Sequence, residues 1–271
     1  MKGYVAGARP DAACDTDAAV TKGDLRTVLP RFAVGLLALV AGLAGLAQPA
    51  PAAAADDLLS GIDVSHYQGE IRWTEVAGAG IGFVIAKATE GRLSSDAEYA
   101  RNKERAEALG LPFAAYHFAH PEKLANDAVL EADHFLDTAM LNEANLLPVL
   151  DLEDHGGLGQ RKLRRWVKAW LAEVQSRLGV KAIIYASPSF VKDRLGNSRW
   201  FADNGYRLWI AHWHVAAPRV PARNWAGRGW TIWQHDNCGS VPGIDGCVDL
   251  DWMRAADLES LRLANNHQTQ P

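Results

Sequence analysis

The chain has 271 residues, enough for one large domain or two small ones, and ten of them are tryptophan. Its formal net charge of −4 at pH 7 argues against a nucleic acid or an anionic membrane surface as a partner. Tryptophan has a broad apolar face and one hydrogen-bond donor, which suits core packing and sugar-ring stacking equally.

Residues 1–55 are predicted to be a signal peptide and leader that is removed on export. Arg31 precedes an apolar run, 32–47, which is too short and too rich in Ala and Gly for a secure membrane span. An Ala-x-Ala sequence before Asp56 fits a cleavage site, so residues 56–271 are expected to form one secreted, monomeric domain. An uncleaved membrane anchor is the alternative.

Export also explains the cysteines. Cys14 belongs to the leader, whereas Cys238 and Cys247 bracket a short loop that contains Gly and Pro. An oxidising compartment permits a disulfide between these two residues. A zinc pair is the alternative, but only His235 lies nearby and zinc requires further ligands at metal spacing.

Strands and helices are predicted to alternate along the mature chain. The first five strands lie at 61–65, 81–87, 113–118, 146–153 and 181–185, and helical segments follow them at 73–79, 96–109, 123–140, 161–178 and after Pro188. Three further strands, 207–212, 230–234 and 248–250, follow with little helix between them. Alternating units imply a parallel sheet, and eight strands suggest that the sheet closes into a barrel.

Polar or aromatic side chains end nearly every predicted strand, at the rim where barrel enzymes carry their sites. They are Asp63, Lys87, Glu90, Tyr116, His117, Asp151, Glu153, Tyr185, Trp209, His212, Trp233, Gln234 and Asp249. The first and eighth strands are neighbours in a closed barrel. We therefore expect Asp63 and Asp249 to lie side by side, across the mouth from Asp151 and Glu153.

Asp151 and Glu153 are the pair with the clearest chemical meaning. Side chains at i and i+2 of a strand point to the same face. Two carboxyl groups so close resist ionising together, so one of them keeps a proton near neutral pH. An acid beside a carboxylate is what cleavage of an acetal, such as a glycosidic bond, requires. The alternative is a strand end that happens to be acidic.

Five segments carry a resemblance to a known family. They are GIDVSHYQG at 61–69, KATEG at 87–91, YHF at 116–118, PVLDLE at 148–153 and WQ at 233–234. In this order they resemble glycoside hydrolase family 25, the Chalaropsis-type lysozymes or N-acetylmuramidases, over about 58–252. The resemblance implies a flattened, TIM-like α/β barrel of five β/α units plus three further strands. It also implies cleavage of the β-1,4 bond from N-acetylmuramic acid to N-acetylglucosamine in peptidoglycan, with no cofactor or metal.

The expected mechanism assigns Glu153 as the general acid, with a pKa raised by burial and by its charged neighbour. The resemblance implies that the substrate's own N-acetyl oxygen attacks, that Asp151 steadies the oxazolinium-like charge, and that configuration is retained. Asp63 and Asp249 would orient the N-acetyl group, Glu153 or the attacking water. The expected substrate-binding residues are Tyr116, Tyr185, Trp209, Trp233, Gln234, Glu90 and His117. For each Trp the alternative is barrel core, and for Glu90 it is a structural ion pair with Lys87.

The sequence departs from the family pattern at two places. Ser94 stands where an aromatic residue or Leu is usual, and the aromatic residue that usually follows Trp-x-Ala is displaced to Trp213. Both changes affect the shape of the groove more than its chemistry.

Two other functions remain possible from the residues alone. A metal hydrolase acting on the same polymer could use the His212-x-His214 pair with His117 and His120, although no carboxylates stand at matching spacing. A binding module or inhibitor could have kept the barrel without the chemistry, although the intact Asp151 and Glu153 pair argues against it.

Overall fold

The computed structural model describes residues 57–266. The predicted leader, its cleavage site and Cys14 lie outside these residues. Within the described part of the chain, no helix combines the length and apolar character needed to cross a membrane.

The described residues form one mixed sheet that closes on itself. Its strands are β1 (Leu58–Val64), β2 (Phe83–Glu90), β3 (Ser94–Ser95), β4 (Phe113–Phe118), β5 (Val149–Asp151), β6 (Ile183–Ala186), β7 (Arg207–Ala211), β8 (Ile232–Gly239) and β9 (Val248–Arg254). Neighbours follow the order β1-β9-β8-β7-β6-β5-β4-β2, and β1 also pairs with β2, so eight strands complete a barrel. The short β3 forms a hairpin on β2 outside the ring. The predicted barrel is confirmed.

One strand direction differs from the expectation of a parallel sheet. β9 runs antiparallel to both of its neighbours, β8 and β1. Only residues 240–247 separate β8 from β9, and a parallel connection needs a crossover of a dozen residues or more. The predicted disulfide between Cys238 and Cys247 spans this loop. Because β9 starts at the rim where the other strands end, Asp249 lies directly opposite Asp63 in the register, as predicted.

Helices cover the outside of the barrel. They are α1 (Trp73–Gly78), α2 (Tyr99–Ala108), α3 (Asp127–Ala139), α4 (Gln160–Leu178), α5 (Pro188–Asp193), α6 (Trp200–Asp203) and α7 (Pro221–Ala226). The sequence missed α6 and α7, which are short, and α7 contains residues with positive φ at 222–225. In α4, buried apolar residues recur every three or four positions, and the helix ends at Gly179 with a left-handed φ of 71°.

The barrel divides the core into two layers. One layer packs helices against the outer face of the sheet, and Phe135 and Trp170 belong to it. The other fills the barrel with residues such as Phe83, Trp209 and Met253. Gly61 is required here, since a Cβ at this position would lie 2.2 Å from the Phe83 ring. The apolar filling leaves the polar side chains at the mouth.

Candidate active site

Asp151 and Glu153 lie at the mouth of the barrel, at the end of β5. The extended backbone continues past the strand, because the Leu152 N–H donates to the Tyr185 carbonyl at 3.0 Å and the Ala119 N–H donates to the Asp151 carbonyl at 3.0 Å. Leu152 is buried, whereas the residues on either side of it belong to the mouth. Asp151 is buried and Glu153 is exposed to solvent. The two carboxyl groups thus occupy different depths of one site.

Burial raises the pKa of Asp151 well above its usual value, and the negative charges of Glu153 and Asp63 raise it further. Asp151 Oδ1 is buried without a hydrogen-bond partner among the described residues. In the empty site a proton is therefore favoured on Asp151. The sequence had attributed burial to Glu153; that part of the prediction is wrong, because β5 ends at Asp151 and Glu153 projects beyond the sheet.

Gln234 on β8 connects both sides of the mouth. Its Oε1 accepts hydrogen bonds from the Tyr185 hydroxyl and from Trp213 Nε1, each at 2.8 Å. Its Nε2 donates to Asp63 Oδ2 at 2.7 Å and to Asp249 Oδ2 at 3.2 Å. Two donors and two carboxylates fix the orientation of the amide. Four predicted site residues therefore meet in one network, together with Trp213, for which no role had been predicted.

Asp251 is a second residue that the sequence analysis missed. It lies on the same face of β9 as Asp249, and its side chain is completely buried. Trp209 Nε1 donates to Asp251 Oδ1 at 2.8 Å, whereas Asp251 Oδ2 is buried without a hydrogen-bond partner among the described residues. Burial raises the pKa of the Asp251 and Asp63 carboxyl groups, and the charge of Asp251 raises that of Asp63 further. The Asp-x-Asp spacing at 249–251 could have revealed it.

The two tryptophans expected as stacking walls are core residues, so this prediction is wrong. Trp209 lies inside the barrel with its ring edge-on to Tyr185, 4.5 Å between centroids. Trp233 belongs to the outer layer, where its Nε1 donates to the His212 carbonyl at 2.9 Å. Both side chains are at most 4% exposed, which leaves no ring face for a sugar.

His117 is also misplaced as a substrate-binding residue. Neighbouring residues of a strand face opposite ways, and His117 is wholly buried between Thr89 Oγ1 and Glu131 Oε2, each 2.8 Å away. Burial lowers the pKa of His117 to about 3 and raises that of Glu131 to about 8. Tyr116 instead packs inside the barrel, with its ring edge-on to Trp209 at 6.5 Å between centroids, and is near enough to Asp63 and Asp151 that their charges, after burial, raise its pKa.

Glu90 lies on the rim in a cluster of opposite charges, the rim cluster of Lys87, Glu90, His120 and Asp154. Glu90 pairs with Lys87 and lies 2.8 Å from His120 Nε2. The His120 hydrogen bond, followed by Lys87, lowers the pKa of Glu90 to about 2. The structural ion pair of Lys87 and Glu90, the alternative given above, is confirmed.

Two clefts are lined by residues of the rim cluster and by Trp213 of the Gln234 network, respectively. One, of about 540 Å³, lies beside the rim cluster and is lined by His120, Glu122, Lys123 and Asp154. The other, the Trp213 cleft, measures about 410 Å³ and is lined by Ser187, Ser189, Lys192, Asp193, Trp213 and Arg219, among others.

The histidines of the metal hypothesis have separate partners. His212 Nδ1 accepts from the Arg219 N–H, and His214 Nε2 lies 3.2 Å from Asn237 Oδ1. Residues 57–266 contain no group of three His, Cys, Asp or Glu residues arranged to hold a metal ion.

Comparison with known proteins agrees with this geometry. The family model for glycosyl hydrolases family 25 matches residues 62–244. The chain belongs to glycosyl hydrolase family 25. It is 34% identical over 217 residues to Lysozyme M1 of Streptomyces globisporus, covering 77% of this chain and 72% of the relative. It is 31% identical to an N,O-diacetylmuramidase of Chalaropsis sp., covering 70% and 96% of the two chains.

A bacterial lysozyme from Streptomyces coelicolor shares the fold, with a TM-score of 0.71 and 32% identity over 76% of this chain and 98% of the other. As a family 25 member with these relatives, the chain is a glycosidase of the muramidase type, and peptidoglycan hydrolysis is the activity that its family supports.

Proposed function

We propose that this family 25 enzyme is a secreted lysozyme that cleaves the β-1,4 bond from N-acetylmuramic acid to N-acetylglucosamine, with retention of configuration through the substrate's N-acetyl group. The observation that carries the proposal is the exposed Glu153 above the buried Asp151 in one mouth. The predicted leader over 1–55 and the disulfide of Cys238 and Cys247 support secretion, and the domain over 56–271 is proposed to act as a monomer.

Asp151 and Glu153 have different roles because they lie at different depths. In the empty enzyme the proton is favoured on the buried Asp151. A glycan that covers the mouth removes Glu153 from water, which raises the pKa of Glu153 and favours transfer of the proton to it. Glu153 then protonates the leaving glycosidic oxygen, and the ionised Asp151 faces the positive charge that develops on the sugar.

The N-acetyl oxygen is the proposed nucleophile. Asp151 ends β5 and Glu153 follows two residues later on extended backbone, so the two carboxyl groups approach the same side of the bond rather than opposite faces. Asp63 and Asp249, both held by Gln234 Nε2, are placed to orient the N-acetyl group and the incoming water. Tyr116, near the acids, is the proposed contact to the acetamide, together with the oxygen of Tyr185.

Product analysis tests the bond that is cleaved. Purified peptidoglycan is digested, the new reducing ends are reduced with borohydride, and the fragments are weighed by mass spectrometry. Reduced muramic acid at the new ends is the expected result. Reduced glucosamine would contradict the proposal, because it would place the cut at the other glycosidic bond. Proton NMR of the first product anomer tests retention, and a β anomer is expected.

A further inference from the structure

One hydrogen bond, from Trp213 to Gln234, links the Trp213 cleft to the acid network. Trp213 follows β7 and is only partly buried, while its Nε1 bonds the same Gln234 oxygen as Tyr185. The opposite end of that amide holds Asp63 and Asp249. Because Trp213 belongs both to this cleft and to the Gln234 network, a glycan at the acids that extends towards Trp213 would bring a neighbouring sugar or substituent into the cleft.

The Trp213 cleft has an excess of one positive charge. Lys192 and Arg219 line it together with a single carboxylate, Asp193. Neither cation has an ion-pair partner among residues 57–266, whereas the cation Lys87 and the carboxylate Glu90 of the rim cluster are paired with each other. An arginine presents a planar fork of donors that matches a carboxylate, and lysine adds a compact charge.

The backbone segments that carry Lys192 and Arg219 are held in place by hydrogen bonds. Lys192 lies on α5, whose first turn is capped by Ser187 Oγ accepting from the Phe190 N–H at 3.1 Å. The backbone of Arg219 is held by its N–H bond to His212 Nδ1 at 2.9 Å. The hydroxyls of Ser187 and Ser189 lie 2.9 Å apart at the same cleft. Aromatic surface, hydroxyls and two exposed cations on a held backbone together suit a sugar that carries an anionic substituent.

We propose that the Trp213 cleft binds a carboxylate attached to the glycan, either the lactyl group of muramic acid or the peptide joined to it, through Lys192 and Arg219. The cleft would then select muramic-acid-containing strands over chitin-like strands, which have the same backbone without the carboxylate. This inference rests on the proposed function, because it assumes that the glycan passes over Glu153.

Binding to three oligosaccharides tests the inference without turnover. Calorimetry uses the Glu153→Gln protein and, in that background, Lys192→Gln with Arg219→Gln. The ligands are N-acetylglucosamine tetramer, a peptide-free muramic acid tetrasaccharide, and the same tetrasaccharide with peptides. We expect the double change to raise the Kd of a carboxylate-bearing ligand at least about tenfold and to leave the N-acetylglucosamine tetramer within about twofold. Weakening of both muramic ligands assigns the lactyl carboxylate, and weakening of the peptide form alone assigns the peptide.

A matched control removes the same charge elsewhere. Arg161→Gln with Lys162→Gln alters another surface cleft, away from Trp213, and should leave all three Kd values within about twofold. Circular dichroism and melting temperature establish that both double variants are folded.

Unchanged affinity for the muramic ligands, or equal weakening for the N-acetylglucosamine tetramer, would overturn the inference. Failure of the proposed function would look different, since it would appear as glucosamine ends in the product analysis or as an active Glu153→Gln protein.

Discussion

The mouth of the barrel holds two sets of carboxyl groups with opposite behaviour. Asp63, Asp151 and Asp251 form the buried floor of the mouth. Burial and repulsion between neighbouring acids raise the pKa values of all three. In the rim cluster, hydrogen bonds to His120 and Lys87 lower the pKa of Glu90 to about 2. A carboxyl group therefore tends to keep its proton where it is buried beside other acids, and it stays ionised where it lies beside cations. The protonated form is favoured for the carboxyl groups of the floor, whereas Glu90 of the rim cluster is ionised and forms a structural ion pair.

The largest expected effect comes from the floor. Asp151→Asn keeps the shape of the side chain but removes the charge that faces the developing positive sugar. We expect kcat on purified peptidoglycan to fall roughly 10²–10⁴-fold, with a melting temperature close to or above that of the wild type, because the raised pKa of Asp151 means that the uncharged form is already the favoured one in the folded enzyme. Reducing-end release measures the rate.

Asp154→Asn is the control for this change. Asp154 belongs to the rim cluster, and its Oδ1 accepts backbone N–H bonds from His155 and Gly156, which an amide oxygen can also do. Its kcat should stay within about threefold of the wild type. Equal losses of kcat in Asp151→Asn and Asp154→Asn would contradict the distinction between the floor and the rim cluster.

A smaller effect is expected on stability at Asp251. Its folded pKa is raised, so its contribution to stability is complete below the usual value of 3.8 and is lost as the pH rises. Asp251→Asn cannot lose a proton, and its amide oxygen can still accept from Trp209 Nε1. Relative to the wild type, the variant should gain on the order of 1–3 kcal/mol as the pH rises above 3.8.

Thermal unfolding at several pH values measures this difference. A gap between the two proteins that stays constant with pH would show that Asp251 is already ionised in the folded state, against the account of the floor.

The smallest effect is expected at the rim. Glu90 has a lowered pKa, so its contribution is present above 4.5 and is lost as the pH falls towards about 2. Because the side chain is 39% exposed, solvent screens the pair, and Glu90→Gln should cost less than about 1 kcal/mol at neutral pH and change kcat less than about twofold. Unfolding curves at neutral and acid pH should converge at the acid end. A loss of activity comparable to that of Asp151→Asn would make Glu90 a catalytic residue.

Much of this arrangement could be predicted because closure of a barrel constrains neighbours. The eight strands, the opposition of Asp63 to Asp249 and the common mouth of Asp151 and Glu153 follow from strand periodicity and from the ends of the strands. The antiparallel direction of β9 could also have been predicted, since the loop at 240–247 is too short for a crossover. His117 could have been assigned outward, because its neighbour Tyr116 was assigned inward.

The different positions of two tryptophans could not be predicted from the sequence. Trp209 and Trp213 are four residues apart and chemically identical, yet one fills the barrel and the other lines a cleft. Their difference depends on where β7 ends, at Ala211, and on how the following loop turns back to Gln234. Such packing is a property of the whole barrel and leaves no local pattern in the sequence. The pKa of Asp151 is unpredictable for the same reason, because it depends on depth below the rim.

Turnover by Glu153→Gln tests the central claim most directly. The glutamine keeps the size of the side chain at the mouth but cannot donate an acidic proton to the leaving oxygen. The account predicts a loss of kcat on purified peptidoglycan of roughly 10²–10⁴-fold, with unchanged melting temperature and with glycan affinity retained. Turnover close to that of the wild type would contradict it, because Glu153 could then not be the acid that cleaves the glycosidic bond.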